Sequence, residues 1–318
     1  MRIRDKIKKP RRPVVVYEIL PPREEDGTLN SYAEIISSLL SQTHIDAINI
    51  PEVHDEIGRG ERPVSNQKRG EPREFGMLLQ DIVGIEAIVN RVAVHTPYNE
   101  QLRWIEETYR KYEIENLIIV GGESSRKKYP GPTVNETLSA ITNILNQKHC
   151  NILCGGISIP SRINESKNLI NKSSNGSEFF TTQVIYESDN IIKMITNYQK
   201  RCDDLKTFPR RLLLSFAPVS SQRNIDFLKW LGVEIPDDTE RYLNGRPGSM
   251  KERSLDVAIE VFNEILNHIN KNNLRVPVGL NVEHIMSYNF QSSVEMLQEL
   301  AKIYREFCIK SSHYSLQK

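Results

Sequence analysis

The sequence predicts a single (β/α)8 barrel, and three observations lead there. Eight short segments rich in Val, Ile, Leu and Phe recur along the chain, each followed by a stretch with apolar residues at helical spacing. Strands that alternate with helices imply right-handed crossovers and a parallel sheet. No structureless linker divides the chain, and eight such units in about 300 residues suit a closed barrel better than an open sheet. A doubly wound open sheet is the alternative. Against it, no strand is followed by G-x-G-x-x-G, and no G-x-x-x-x-G-K-[ST] occurs.

The first strand is the run Val14-Val15-Val16-Tyr17-Glu18-Ile19-Leu20, stopped by Pro21-Pro22-Arg23. A helix over Leu29 to Leu40 and the segment Ile45 to Ile50 follow. A polar loop from Glu52 to Glu71 leads to a helix opening at Pro72, with proline in the first turn. Ala87 to His95 reads as a strand, Glu100 to Tyr112 as a helix, and Asn116 to Val120 as a strand ending at Gly121-Gly122-Glu123. Thr133-Val-Asn-Glu136 is a capping box that opens a helix to about Gln147. Then come the strand Asn151 to Ile159, a helix from Glu165, the strand Phe179 to Ile185, and a helix from Asp189 to about Arg201. The strand Arg211 to Ala217 precedes two helical stretches, Gln222 to Leu231 and Met250 to Ile269. The strand Val276 to Val282 and a helix over Ser292 to Phe307 complete the set.

Composition narrows the class. The chain has 318 residues, 38% hydrophobic and 26% charged, with a formal net charge of +1, which gives no case for nucleic acid or an anionic membrane as partner. Residues 1–12 form a basic arm, read as solvated; residues 13–310 form the barrel, and residues 311–318 a polar tail. The start lacks an apolar stretch and no apolar run approaches about 18 residues, so secretion and membrane spanning are not expected. Cys150, Cys154, Cys202 and Cys308 show neither CxxC nor zinc-finger spacing, which points to a reducing, cytoplasmic setting and to no metal.

In such barrels chemistry gathers at the C-terminal ends of the strands. Glu18 stands out, because a carboxylate in an apolar strand needs a partner or a use. Either it is ion-paired with an arginine such as Arg23, or it is a catalytic acid. Other strand ends carry Glu52, His54, Asp55 and Glu56; His95; Glu123; Pro160-Ser161-Arg162; Gln183; Ser220 and Ser221; and Asn281, Glu283 and His284. The Glu52 to Glu56 loop reads as a solvated acidic loop, with a metal-dependent aldolase or lyase as a distant alternative. The glycines at 121 and 122 are either a tight turn or a place where a ligand ring approaches closely. Gln183 needs a partner for its amide, either backbone or a ligand with alternating donors and acceptors such as a pterin.

Three segments in order resemble the methylenetetrahydrofolate reductase family, over about residues 14 to 300. Tyr17-Glu18-Ile19-Leu20-Pro21-Pro22 resembles its opening strand, and Ser177-Glu-Phe-Phe-Thr-Thr-Gln183 its Ala-Asp-Phe-x-x-Thr-Gln segment. Ala217-Pro218-Val219-Ser220, followed by Leu231-Gly-Val-Glu-Ile-Pro236, resembles its seventh strand and the G-V-x-I-P beyond. The resemblance implies a flavoprotein in which NAD(P)H supplies hydride through FAD to a methylene-tetrahydropterin, giving the methyl form. It implies Glu18 as the general acid that opens the methylene bridge. Glu123 stands where the family has an aspartate near the cationic iminium. Gln183, Asn281 and Glu283 are expected to meet the substrate. His95, Gly121, Gly122, Gly155, Gly156 and Arg162 are expected at the cofactor. The segment Gly155 to Arg162 lacks the Tyr and His that many members place against flavin, so Arg162 is read as a flavin-phosphate ligand. The alternative function is a pterin-binding subunit without reductase activity, and the assembly is either a homo-oligomer or a subunit of a larger complex.

Overall fold

Alternation within the strands decides which side chains enter the barrel, because successive residues face opposite sides. In the computed structural model, residues 1–41, 43–54, 60–64, 67–122, 127–245 and 247–314 are described. The order is α1 (Ile3–Ile7), β1 (Val15–Ile19), α2 (Leu29–Leu40), β2 (Ala47–Ile50), α3 (Pro72–Val83), β3 (Ala87–Val92), α4 (Tyr98–Lys111), β4 (Asn116–Val120), α5 (Val134–Ala140), β5 (Leu153–Ser158), α6 (Glu165–Ser174), β6 (Phe179–Thr182), α7 (Asp189–Asp204), β7 (Arg211–Phe216), α8 (Gln222–Trp230), α9 (Asp237–Leu243), α10 (Met250–Lys271), β8 (Val278–His284) and α11 (Phe290–Tyr314). The eight strands pair in parallel in sequence order, and β8 closes on β1, as the alternation of strands and helices predicted.

Local chemistry sets the helix ends. Glu71 caps α3 by accepting from the Arg73 and Glu74 amides, and Gly84 ends it in the left-handed region at φ 71°. The Thr133–Glu136 capping box opens α5, as read from sequence. That helix then turns into a π segment, Ile141–Leu145. The short α9 was not anticipated; it starts directly after Pro236 with Asp237 and Asp238 in its first turn.

The inside of the barrel is layered. Val16, Ala47, Ile88, Ile118, Leu153, Phe179 and Leu213 form an apolar floor. Two residues further along their strands stand Glu18, Asn49, Asn90, Thr181 and Ser215, a polar storey toward the C-terminal ends. Outward residues such as Val15, Tyr17 and Ile19 join the larger core beneath the helices.

The amino-terminal arm is not a solvated extension. Ile3 and Ile7, one turn apart on α1, are 1% and 4% exposed and complete the apolar floor from below. Each such burial stabilises by about 1.5–3 kcal/mol. The arm's polar groups meet acids placed immediately before strands. The Ile3 amide donates to Glu86 at 3.1 Å, Arg2 pairs with Glu115 at 2.7 Å, Lys8 with Glu178 at 2.8 Å, and Lys6 with Asp46. Arg211, 1% exposed at the start of β7, donates to the Lys9 carbonyl at 2.7 Å and to the carbonyls of Lys6 and Pro10 at 3.3 Å. Counting basic residues hid the two isoleucines that decide the arm's place. At the other end α11 runs to Tyr314, so the polar tail begins as helix. Residues 315–318 lie outside the described residues. Among the described residues, no helix is long and apolar enough to cross a membrane.

Candidate active site

β1 and β8 are neighbours only because the barrel closes, and their register sets Glu18 beside Glu283. On the other side Glu18 stands beside Asn49 of β2, whose amide donates to its carboxyl. Asn281 lies beneath the two carboxyls. Its amide donates to Ser215 Oγ at 3.0 Å and Glu283 Oε1 at 3.4 Å, and it also bonds Glu18. Burial pushes the Glu18 carboxyl up to about 7, against the opposing bonds from Asn49 and Asn281. Burial also raises Glu283 well above the usual carboxylate range, and the charge of Glu18 raises it further. The Arg23 pairing is not formed. Arg23 is bound within its own turn, to Asp26 at 2.7 Å and Glu25 at 2.6 Å.

Above this storey lies a cavity of about 470 Å³ at the C-terminal mouth, within the usual range of ~300–1,000 Å³ for a small-molecule site. Of the residues singled out from sequence, Glu18, Glu52, His54, Gly121, Gly122, Arg162, Gln183, Glu283 and His284 line it. Gln183 sits just past the end of β6. Its side-chain amide donates to the Leu231 carbonyl at 3.1 Å, which turns the amide into one fixed orientation. Asn281 is fully buried below the cavity floor. His95 stands behind His54, with ring centroids 4.8 Å apart, and only His54 lines the cavity. Glu123 lies outside the described residues, as do Asp55 and Glu56.

Gly155 and Gly156, expected at the cofactor, sit mid-strand in β5, below the mouth. A Cβ on Gly155 would lie 2.5 Å from the Phe179 ring, and one on Gly156 would lie 3.4 Å from Phe180. Gly155 makes room for the Phe179 ring, whereas a Cβ on Gly156 would meet Phe180 at ordinary contact distance. Gly155→Ala is expected to cost about 1–3 kcal/mol by overpacking, read as a lowered denaturation midpoint. An unchanged midpoint would show that Phe179 moves aside freely.

Several residues at or beside the cavity escaped the sequence reading. Asn49 carried a usable signal, since it is a polar residue in an apolar strand just as Glu18 is. Arg69, Phe227 and Trp230 carried none, because loops and amphipathic helices contain such residues as a matter of course. His284 is 2% exposed, and burial pushes its imidazole down to about 4, so it is neutral near pH 7. Glu52 is engaged by Arg91 at 2.5 Å and by the Val92 amide at 2.7 Å. Burial pushes its carboxyl up, but His54, Arg91 and that amide outweigh burial and hold it below the ordinary value. No group of three or more potential metal ligands occurs among the described residues.

The residues present do not make a cradle for a resident FAD. A flat ring needs bare backbone to lie against. At Gly122 that space is filled by Tyr129, whose ring a Cβ there would overlap. Tyr129 in turn lies edge-on to His95, with centroids 5.4 Å apart. With Gly155 against the inner Phe179 and Gly156 facing outward toward Phe180, the expected glycine and arginine contacts at the mouth are Gly121, Arg162 and the rim of Gly122.

Comparison with known proteins agrees with this geometry at the level of fold. The model of the family described as methylenetetrahydrofolate reductase matches residues 2–301. No curated protein matches the chain. Among solved structures, one from Clostridium thermocellum is similar, with a TM-score of 0.76 and 18% identity over 95% of this chain and 99% of that one. It is described as an uncharacterized protein that binds two copies of 5-methyl-5,6,7,8-tetrahydrofolic acid. At that identity the likeness carries the fold alone.

Proposed function

Because this chain belongs to the methylenetetrahydrofolate reductase family, we propose that its barrel mouth binds a tetrahydropterin one-carbon carrier and reduces the methylene form to the methyl form. The carrying observation is Glu18, a carboxyl that faces the cavity and whose surroundings let it hold a proton near neutral pH. A general acid works best with a pKa close to the working pH. Glu18 gives its proton to the nitrogen that leaves the methylene bridge, and the C–N bond breaks to leave an iminium on the other nitrogen. Hydride from reduced nicotinamide, NADH or NADPH, adds to the iminium carbon and gives the methyl group. One proton and one hydride are consumed for each methyl group formed.

Gln183 anchors the ring through the amide oxygen that its bond to Leu231 leaves available. Glu123, where the family carries aspartate, is assigned to the iminium's positive charge. That the Clostridium protein binds methyltetrahydrofolate supports a tetrahydropterin as the ligand. Incubation with methylene-tetrahydrofolate and NADH or NADPH is expected to oxidise the nicotinamide and yield methyl-tetrahydrofolate in equal amounts. An absorption spectrum before and after adding FAD checks the cofactor in the same preparation.

The Tyr129-filled surface of Gly122 favours a second reading, a pterin-binding subunit that does not reduce its ligand. Calorimetric binding of methyl-tetrahydrofolate, with no nicotinamide oxidation under any of those conditions, would establish it over the first.

A further inference from the structure

The position of Glu283 gives it a role beyond meeting the substrate. Strand pairing sets Glu18 opposite Glu283, and alternation aims both side chains into the barrel. Neighbouring strands lie about 4.8 Å apart. The groups that bond the two carboxyls are uncharged: Asn49 to Glu18, Asn281 to both, and Ser215 to Glu283. Three of the charged groups lining the cavity are engaged elsewhere. Glu52 is bound by Arg91, Arg69 donates to the Pro21 carbonyl at 2.8 Å, and Lys172 donates to the Ile157 carbonyl at 2.5 Å. His284, next in β8, is held neutral by burial. Among the described residues, no cation forms a salt bridge with either carboxyl. Two such groups side by side in a poorly hydrated place do not both ionise near neutrality.

We propose that Glu283 is the proton partner of Glu18, the two carboxyls sharing one proton across the β1–β8 seam. The pairing itself rests on geometry, and its use in turnover rests on the reductase reading. When Glu18 protonates the pterin nitrogen, the pair loses its only proton and becomes doubly negative. Repulsion between the two carboxylates then draws one proton from solvent, which restores the starting state and balances the proton consumed. Asn281, donating to both, keeps the two groups in register.

The test titrates the ligand-free protein by infrared spectroscopy, following the carbonyl stretch of protonated carboxyls in wild type, Glu283→Gln, Glu283→Asp and Glu18→Gln. Wild type is expected to keep a protonated-carboxyl band at neutral pH, absent from the double variant Glu18→Gln/Glu283→Gln. In Glu283→Gln the band of the remaining Glu18 should vanish about one pH unit or more lower, because the repelling neighbour is gone. Glu283→Asp should restore most of the shift. An unmoved or raised midpoint in Glu283→Gln overturns the proposal. Circular dichroism checks folding, and if Glu283→Gln does not fold, a Glu283 midpoint equally lowered in Glu18→Gln supports the pair and an unmoved one overturns it. In turnover the alkaline limb of kcat/KM should move down with the infrared midpoint. A protein that shows the infrared shift but never reduces a methylene-pterin retains the pair and loses the reductase reading.

Discussion

Glu18→Gln is expected to lower turnover of a methylene-tetrahydropterin by about 10²–10⁴-fold, the usual contribution of a positioned general acid. Binding of the methyl product is expected to stay within a few fold, because the glutamine amide keeps the shape and can still meet Asn49 and Asn281. The split between lost turnover and retained binding is the informative result. A variant with wild-type turnover would remove Glu18 from the mechanism. Folding stability provides a second readout with a definite sign. The Glu18 carboxyl is raised from 4.5 to about 7, so the folded protein holds a proton that the unfolded chain releases. Stability is full below the unfolded value and falls as pH rises through that window, because the native state binds more protons there. Glu18→Gln should therefore make the thermal midpoint less sensitive to pH between about 5 and about 8. A slope identical to wild type would mean that the group titrates normally.

Arg211→Met is expected to destabilise the fold on the order of 3–5 kcal/mol, the size seen when a buried charged partner is removed and its acceptors are left unpaired. Arg211 binds the arm carbonyls of Lys6, Lys9 and Pro10 and, at the start of β8, the carbonyl of Val278. Methionine fills part of the space but satisfies none of those oxygens. The loss should appear as a depressed thermal midpoint together with early proteolytic cleavage within residues 1–12. Removing residues 1–9 should produce a comparable midpoint, since the same floor is opened either way. A midpoint equal to wild type in both variants would show that the arm adds nothing to the barrel.

These two residues differ in how far the chain announces them. Glu18 interrupts an apolar strand, and that interruption is visible in a single line of residues. Asn49 interrupts β2 in the same way and was legible by the same rule. Arg211 also begins an apolar strand, but its burial depends on a floor built by α1, which the basic composition of the arm concealed. Gln183 was found through its motif and then fixed by Leu231, a contact that no local pattern encodes. Gly155 and Gly156 were expected at the cofactor along with the family resemblance. That Phe179 fills the space beside Gly155 depends on the register of the neighbouring strand β6.

The sequence by itself determined the eight strands and their helices, the parallel barrel that follows from their order, the family motifs and the out-of-place carboxyl in β1. All of these reside in short stretches of chain, where periodicity, capping and proline or glycine punctuation act between near neighbours. Only the tertiary structure decided that Glu18 faces Glu283 rather than Arg23, that the arm plugs the floor, and that Tyr129 covers Gly122. The physical reason is closure. Joining β8 to β1 creates neighbours from opposite ends of the chain, and the low dielectric that raises both carboxyls exists only once the whole barrel surrounds them.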